Sequence, residues 1–191
     1  GNPTGSVLDL ATLKKLIALA DKHDFIIASD ECYSEIYVDD KPAPIGLLQA
    51  CEDLGRHDYK RCVVFHSLSK RSNLPGLRSG FVAGDANILK PFLLYRTYHG
   101  CAMPIHTQLA SIAAWGDEKH VAENRRQYSL KFKAVIDILN DPSLEGKIEV
   151  EQTEASFYLW AKTSIDEEQF AQQLFAKQHV TVLPGSYLSR T

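Results

Sequence analysis

The 191-residue sequence has four cysteines, Cys32, Cys51, Cys62 and Cys101, and no Cys-x-x-Cys pair among them. Such spacing suits neither a zinc ribbon nor a redox dithiol, and no disulfides are expected in a reducing compartment. None of the seven histidines stands four residues from another, so the paired ligands of a helical zinc site are missing. No Gly-x-Gly-x-x-Gly occurs, which gives no support to a Rossmann dinucleotide site. No cationic run stands out and the net charge is -3, so no nucleic-acid surface is expected. No apolar run approaches the length of a membrane span. The first residues read as a turn, not a signal peptide, and the expectation is a soluble cytoplasmic protein. Internal repeats and low-complexity segments are also lacking.

Apolar residues make up 45% and charged residues 24%, near globular averages, and the chain is long enough to bury a substantial core. Leu10, Leu13, Leu16, Ile17 and Ala20 recur at helical spacing, which predicts an amphipathic helix over residues 8–23. Phe25–Ala28, Cys62–His66 and Gly80–Gly84 read as short buried strands, with a short helix around Ile45–Leu54 between the first two. This alternation implies an α/β fold with a mainly parallel sheet and helices on both faces. Helices are predicted over 86–98, 105–115 and 117–140, the last carrying the apolar stripe Val121, Tyr128, Phe132, Val135, Ile136 and Leu139 until Asp141-Pro142 ends it. The pattern then restarts as an α+β layer: strands at Ile148–Val150, Phe157–Ala161 and Val180–Leu183, and a helix from Asp166 to about Gln178.

Three short motifs carry chemistry. In Ser67-Leu68-Ser69-Lys70, with Arg78 eight residues on, two hydroxyls and a guanidinium suit a phosphate. A lysine after a strand, partly desolvated, can condense with a carbonyl. In Asp30-Glu31-Cys32-Tyr33, a carboxylate at a strand end calls for a cationic partner, such as a protonated ring nitrogen; its ordinary alternative is to cap the next segment. In Asn2-Pro3-Thr4-Gly5 a tight turn presents an amide donor. Open sheets bind ligands outside their strand ends, which places Asp30 and Lys70 in one crevice.

Together, in this order and spacing, the three motifs resemble those of the fold-type I, class I/II aminotransferases, which use pyridoxal phosphate. The resemblance implies part of a three-layer α/β/α large domain over residues 1–140, including a long connecting helix, and part of an α+β small domain over 141–191. It implies that Lys70 holds the cofactor covalently and moves the substrate's proton. Asp30 would face the ring nitrogen, Asn2 and Tyr33 the ring's phenolic oxygen, and Ser67, Ser69 and Arg78 the phosphate. Ser29, Glu31 and His66 are expected to support these groups, and Cys32 to fill space. The stretches His66–Asp85 and Tyr95–Gly100 further resemble the bacterial succinyldiaminopimelate transaminases, which exchange an amino group between glutamate/2-oxoglutarate and N-succinyl-2-amino-6-oxopimelate on the route to lysine. Arg96 and His99 are candidate carboxylate contacts, with a plain surface or interface role as the simpler reading. Ala155-Ser156-Phe157-Tyr158 resembles the turn by which the family's small domain approaches substrate; strand packing is the alternative.

The family's pattern has further parts that these residues do not contain: a small-residue phosphate-binding segment and a ring-stacking aromatic ahead of Gly1, and a carboxylate-binding arginine beyond Thr191, a role not given to Arg190. The expectation is a C-terminal portion with little activity alone, and a homodimer with amino-acid and 2-oxo-acid substrates. Alternatives are an aromatic or kynurenine-type aminotransferase, a carbon–sulfur lyase, or a non-enzymatic aminotransferase-like regulatory domain.

Overall fold

The computed structural model describes residues 1–38, 41–100, 102–151 and 153–188. Cys101 and Arg190 lie outside the described residues. Helix α1 (Leu10–His23) starts where the Asp9 side chain accepts from Thr12 N at 2.7 Å, which satisfies an otherwise unpaired amide of the first turn. It buries Leu13, Ile17 and Ala20, one stripe at helical spacing. Asp24, in the left-handed conformation, closes the helix by donating its N–H to Ala20 O. Strand β1 (Ile27–Asp30) follows, then α2 (Leu47–Asp53) and strand β2 (Cys62–Ser67). Cys62 and Val64 alternate inward from β2 to meet Leu13 and Ile17 of α1 and Leu47, Ala50 and Cys51 of α2, the main core of the chain.

After β2 come the one-turn helix α3 (Leu68–Arg71), a 3₁₀ turn (Pro75–Leu77) and strand β3 (Gly80–Gly84). The sheet order is β1-β2-β3. β1 and β2 run parallel, Asp30 opposite Phe65, but β2 and β3 run antiparallel, Ser67 opposite Gly80. The expected parallel pairing thus holds for one pair and fails for the other. A parallel return needs a crossover long enough to recross the sheet, and residues 68–79 instead turn back at the edge where β2 ends. Gly80 makes this possible: a Cβ there would lie 2.4 Å from His66 O.

The long helices follow: α4 (Ala86–His99), α5 (Ile105–Trp115) and α6 (Glu118–Leu139). Asp117 caps α6 through Lys119 N at 2.9 Å. Strands β4 (Ile148–Val150) and β5 (Ala161–Thr163) pair antiparallel, and α7 (Glu167–Gln178) starts at the Asp166 cap.

Three strand expectations need correction. The first strand is Ile27–Asp30, not Phe25–Ala28, because the αL cap at Asp24 spends Phe25 and Ile26 on leaving the helix, and both stay exposed. Residues 157–160 are not strand: Phe157 and Tyr158 turn into a ring cluster and pairing starts at Ala161. Val180–Leu183 forms no strand, and Val180, Val182 and Leu183 are exposed.

Candidate active site

The C-terminal ends of β1 and β2 share one edge of the sheet, and β3 begins there. Asp30, the last residue of β1, lies at this edge, where its carboxylate accepts from Cys32 N at 3.0 Å. Burial, then the hydrogen bond and charge of Asp30, push the Cys32 thiol up to about 12. Ser67 ends β2 and caps α3, its Oγ accepting from Ser69 N at 3.0 Å. The hydroxyls of Ser67 and Ser69 lie 2.8 Å apart, and Ser67 Oγ is 3.2 Å from Ser79 O as an alternative acceptor.

Lys70 sits in α3, with Nζ 4.9 Å from the centre of the Phe157 ring and 5.8 Å from that of Tyr33. The chain path explains this meeting of residues distant in sequence. Beyond Tyr33, residues 36–38 pair with 154–156: Ser156 N donates to Ile36 O at 2.7 Å, Val38 N to Glu154 O at 3.3 Å, and Tyr37 bridges Ala155. Phe157 and Tyr158 therefore emerge beside Tyr33, with ring centres 5.3 and 6.1 Å away, and Tyr128 of α6 stacks on Phe157 at 5.4 Å.

The N-terminal turn arrives through Gly5. Its carbonyl accepts from Ala155 N at 3.2 Å, and at φ 71° a Cβ would meet Thr153 Cβ at 2.4 Å. Asn2 is thereby brought to Tyr33, its Nδ2 3.4 Å from the phenolic oxygen, while Tyr158 Oη lies 3.3 Å from the same atom. Burial, then the hydrogen bond and charge of Tyr158, then Asp30 and Cys32, raise the Tyr33 pKa well above a free phenol's.

Of the sequence-based candidates, Asn2 and Tyr33 meet directly, Ser67 and Ser69 meet directly, and Lys70 faces the Tyr33 ring. Arg78 reaches the same edge but is exposed, and its Nη1 donates to Pro75 O at 2.8 Å within its own loop. Arg96 and His99 lie on the exposed α4, where His99 stacks on Tyr95 at 4.4 Å.

The groups expected to support the site, Ser29, Glu31 and His66, meet at this edge. Glu31, beside Asp30, accepts from Leu47 N at 2.8 Å, Ser29 Oγ at 3.1 Å and His66 Nε2 at 3.3 Å. Burial alone would raise its pKa, but the His66, Leu47 and Ser29 hydrogen bonds outweigh that and lower it. It thereby serves as the cap that Gly46, the N-cap of α2, cannot provide. Its donors come from three elements, and no local pattern announces these pairings. Among the described residues no group of three or more His, Cys, Asp or Glu could hold a metal, and no helix is long and apolar enough to cross a membrane.

The sequence matches the family profile "Aminotransferase class I and II" over residues 1–190. A probable aminotransferase of Mycobacterium tuberculosis is 32% identical over 186 residues, 97% of this chain and 42% of that protein. An LL-diaminopimelate aminotransferase of Maridesulfovibrio salexigens is 31% identical over 188 residues, 97% of this chain and 46% of that protein. A crystal structure of an aminotransferase from Neisseria meningitidis superposes with a TM-score of 0.89 at 56% identity, over 100% of this chain and 47% of that one. The chain spans about half the length of these relatives. Profile, relatives and superposition agree along nearly every residue, and the chain belongs to the class I and II aminotransferases, whose members depend on pyridoxal phosphate.

Proposed function

We propose that this chain supplies the lysine-bearing half of a transaminase site, in which an amino group passes between an amino acid and a 2-oxo acid. The observation that carries this reading is the amine of Lys70 set against two aromatic rings, at the sheet edge that also holds Asp30, Tyr33, Ser67 and Ser69. A carboxylate, a protonated phenol with an amide beside it, an amine and paired hydroxyls form the donor set that pyridoxal phosphate needs, so the residues fit the group. When bound, the cofactor supplies a carbonyl and a conjugated ring that accepts electron density from the substrate's alpha carbon. Lys70 Nζ would hold the group covalently through that carbonyl. Its amine would also be the base that takes a proton from the substrate's alpha carbon and the acid that returns it. The Asp30 carboxylate holds a proton on the ring nitrogen. Tyr33, kept protonated, donates to the ring's oxygen, and Asn2 orients the phenol. Ser67, Ser69 and Arg78 hold the phosphate.

The proposed pair of reactants is glutamate and N-succinyl-2-amino-6-oxopimelate. The resemblance of residues 66–85 and 95–100 supports it, and a relative named for LL-diaminopimelate handles a compound of the same carbon skeleton. A cytoplasmic homodimer is part of the proposal, as is low turnover of these 191 residues alone, given the share of the relatives that they span. The division into a large-domain part, residues 1–140, and a small-domain part, 141–191, belongs to the same reading. The test is to add pyridoxal phosphate to the complete protein and to its Lys70→Ala variant, then offer glutamate with a panel of oxo acids. A visible band lost in the variant, with turnover highest on the succinylated oxopimelate, is expected. A band of equal strength in Lys70→Ala refutes the role of the lysine. A strong preference for aromatic oxo acids refutes the substrate.

A further inference from the structure

Lys70 stands in a helix of a single turn, which cannot fix a side chain by its own hydrogen bonds. Its C-terminal carbonyls need partners from elsewhere. Asn73 N lies 3.4 Å from Lys70 O, and Asn124 of α6 adds a partner for each of the last two: its Nδ2 lies 3.1 Å from Lys70 O and 3.3 Å from Arg71 O. Arg71, the next residue, is a buried cation, 8% exposed. Its Nη1 donates to Ala114 O in the last turn of α5 at 3.1 Å, its Nη2 pairs with Glu118 in the first turn of α6, and its guanidinium stacks over Trp115 at 4.9 Å. A guanidinium at a helix C-terminus, with a carboxylate and an indole around it, is held from three sides. Both residues therefore tie α3 to α5 and α6, and Asn124 meets Lys70 at its backbone carbonyl, not at its amine.

We propose that Arg71 and Asn124 are positioning residues that set where the Lys70 amine stands by bolting α3 to the α5–α6 junction. The inference rests on Lys70 being the lysine that holds the cofactor and moves the proton. An amine that must take a proton from one carbon and return it to another depends on placement to within a fraction of an ångström, so loosening its anchor slows the proton step without altering how substrate binds. Lys70 carries the chemistry, and the two anchors act through it.

The experiment uses the complete protein loaded with pyridoxal phosphate, with Asn124→Ala, Asn124→Asp and Arg71→Lys each normalised to cofactor-bearing sites. Asn124→Asp keeps the volume but cannot donate to a carbonyl, and guards against a fold lost through a cavity. In each variant kcat is expected to fall by about 10- to 100-fold with KM changed less than about twofold. The isotope effect with alpha-deuterated glutamate is expected to rise, and the pH midpoint of the visible band to move. A merely structural role lowers the number of cofactor-bearing sites and leaves isotope effect and midpoint where they were; that result overturns the proposal. The Lys70→Ala control separates the two readings. A visible band that persists in it overturns the role of Lys70 and the inference together, whereas loss of the band there with unchanged Asn124 and Arg71 variants overturns the inference alone.

Discussion

Glu31→Ala tests whether the sheet edge is held as described. The substitution removes the acceptor for Leu47 N, Ser29 Oγ and His66 Nε2 in one step. The Glu31 side chain is 14% exposed, so water replaces these bonds poorly. Losing an N-terminal cap costs about 1 kcal/mol. Leaving a part-buried N–H without a partner adds about 1–2 kcal/mol. The sum, about 2–3 kcal/mol, corresponds to a fall in melting temperature of about 6–9 °C for a chain of this size. Thermal unfolding followed by circular dichroism at pH 7 measures it. A Glu31→Ala protein that melts within about 1 °C of the parent refutes the reasoning. The pH dependence gives a second check. The Glu31 pKa is lowered in the folded state, so its contribution is complete above its ordinary value of 4.5 and is lost as pH falls through the lowered value. The gap between the parent and Glu31→Gln must therefore narrow in acid; a gap that widens there contradicts the assignment.

Cys32, with its thiol pushed from 9.0 up to about 12, carries about a thousandfold less thiolate at pH 8 than an unperturbed cysteine, so iodoacetamide labelling followed by mass spectrometry should find it nearly inert. Labelling at the rate of a free thiol would show that the Asp30 neighbourhood is misjudged. Ile17→Ala, at a position 1% exposed between α1 and the core of β2, should cost about 2–5 kcal/mol in urea unfolding, whereas Leu19→Ala, 43% exposed on the same helix, should cost about 0.5 kcal/mol or less. Equal effects would mean that the α1 stripe does not face the core.

Helix α1 was legible because it carries its own signal, an apolar stripe with a cap before it: Asp9 ahead of Leu13, Ile17 and Ala20. So were the three motifs, since each is a contiguous string. The antiparallel return of β3 was not, because apolar runs such as Gly80–Gly84 read the same in either direction. Nor was the lack of strand at 157–160 and 180–183, where apolar residues serve a ring cluster in one case and stay exposed in the other. Glu31 and His66 were expected to support the site, but the pairings that hold it were not legible, for a related reason. Glu31 works through Leu47 and His66, and Lys70 is held from Asn124, 54 residues away; such pairings exist only once the chain is folded.

The antiparallel turn-back of β3 has a consequence for how this site can vary. Residues 68–79 leave and rejoin the sheet at adjacent positions, closed by Leu68 N donating to Ser79 O at 3.1 Å and pinned by the facing pair Ser67 and Gly80. The spacing between the two ends belongs to the sheet and not to the segment between them. This segment carries both Lys70 and Arg78, and its buried residues tie it to α5 and α6 as well as to the strands: Arg71 to Ala114 and Glu118, and Ser79 to Ser111 at 2.8 Å. Grafting the corresponding segment of a relative onto Ser67 and Gly80 would exchange residues 70 and 78 as one unit, with Asp30 and Tyr33 left in place, and would require its partners Ser111, Glu118 and Asn124 to be exchanged with it.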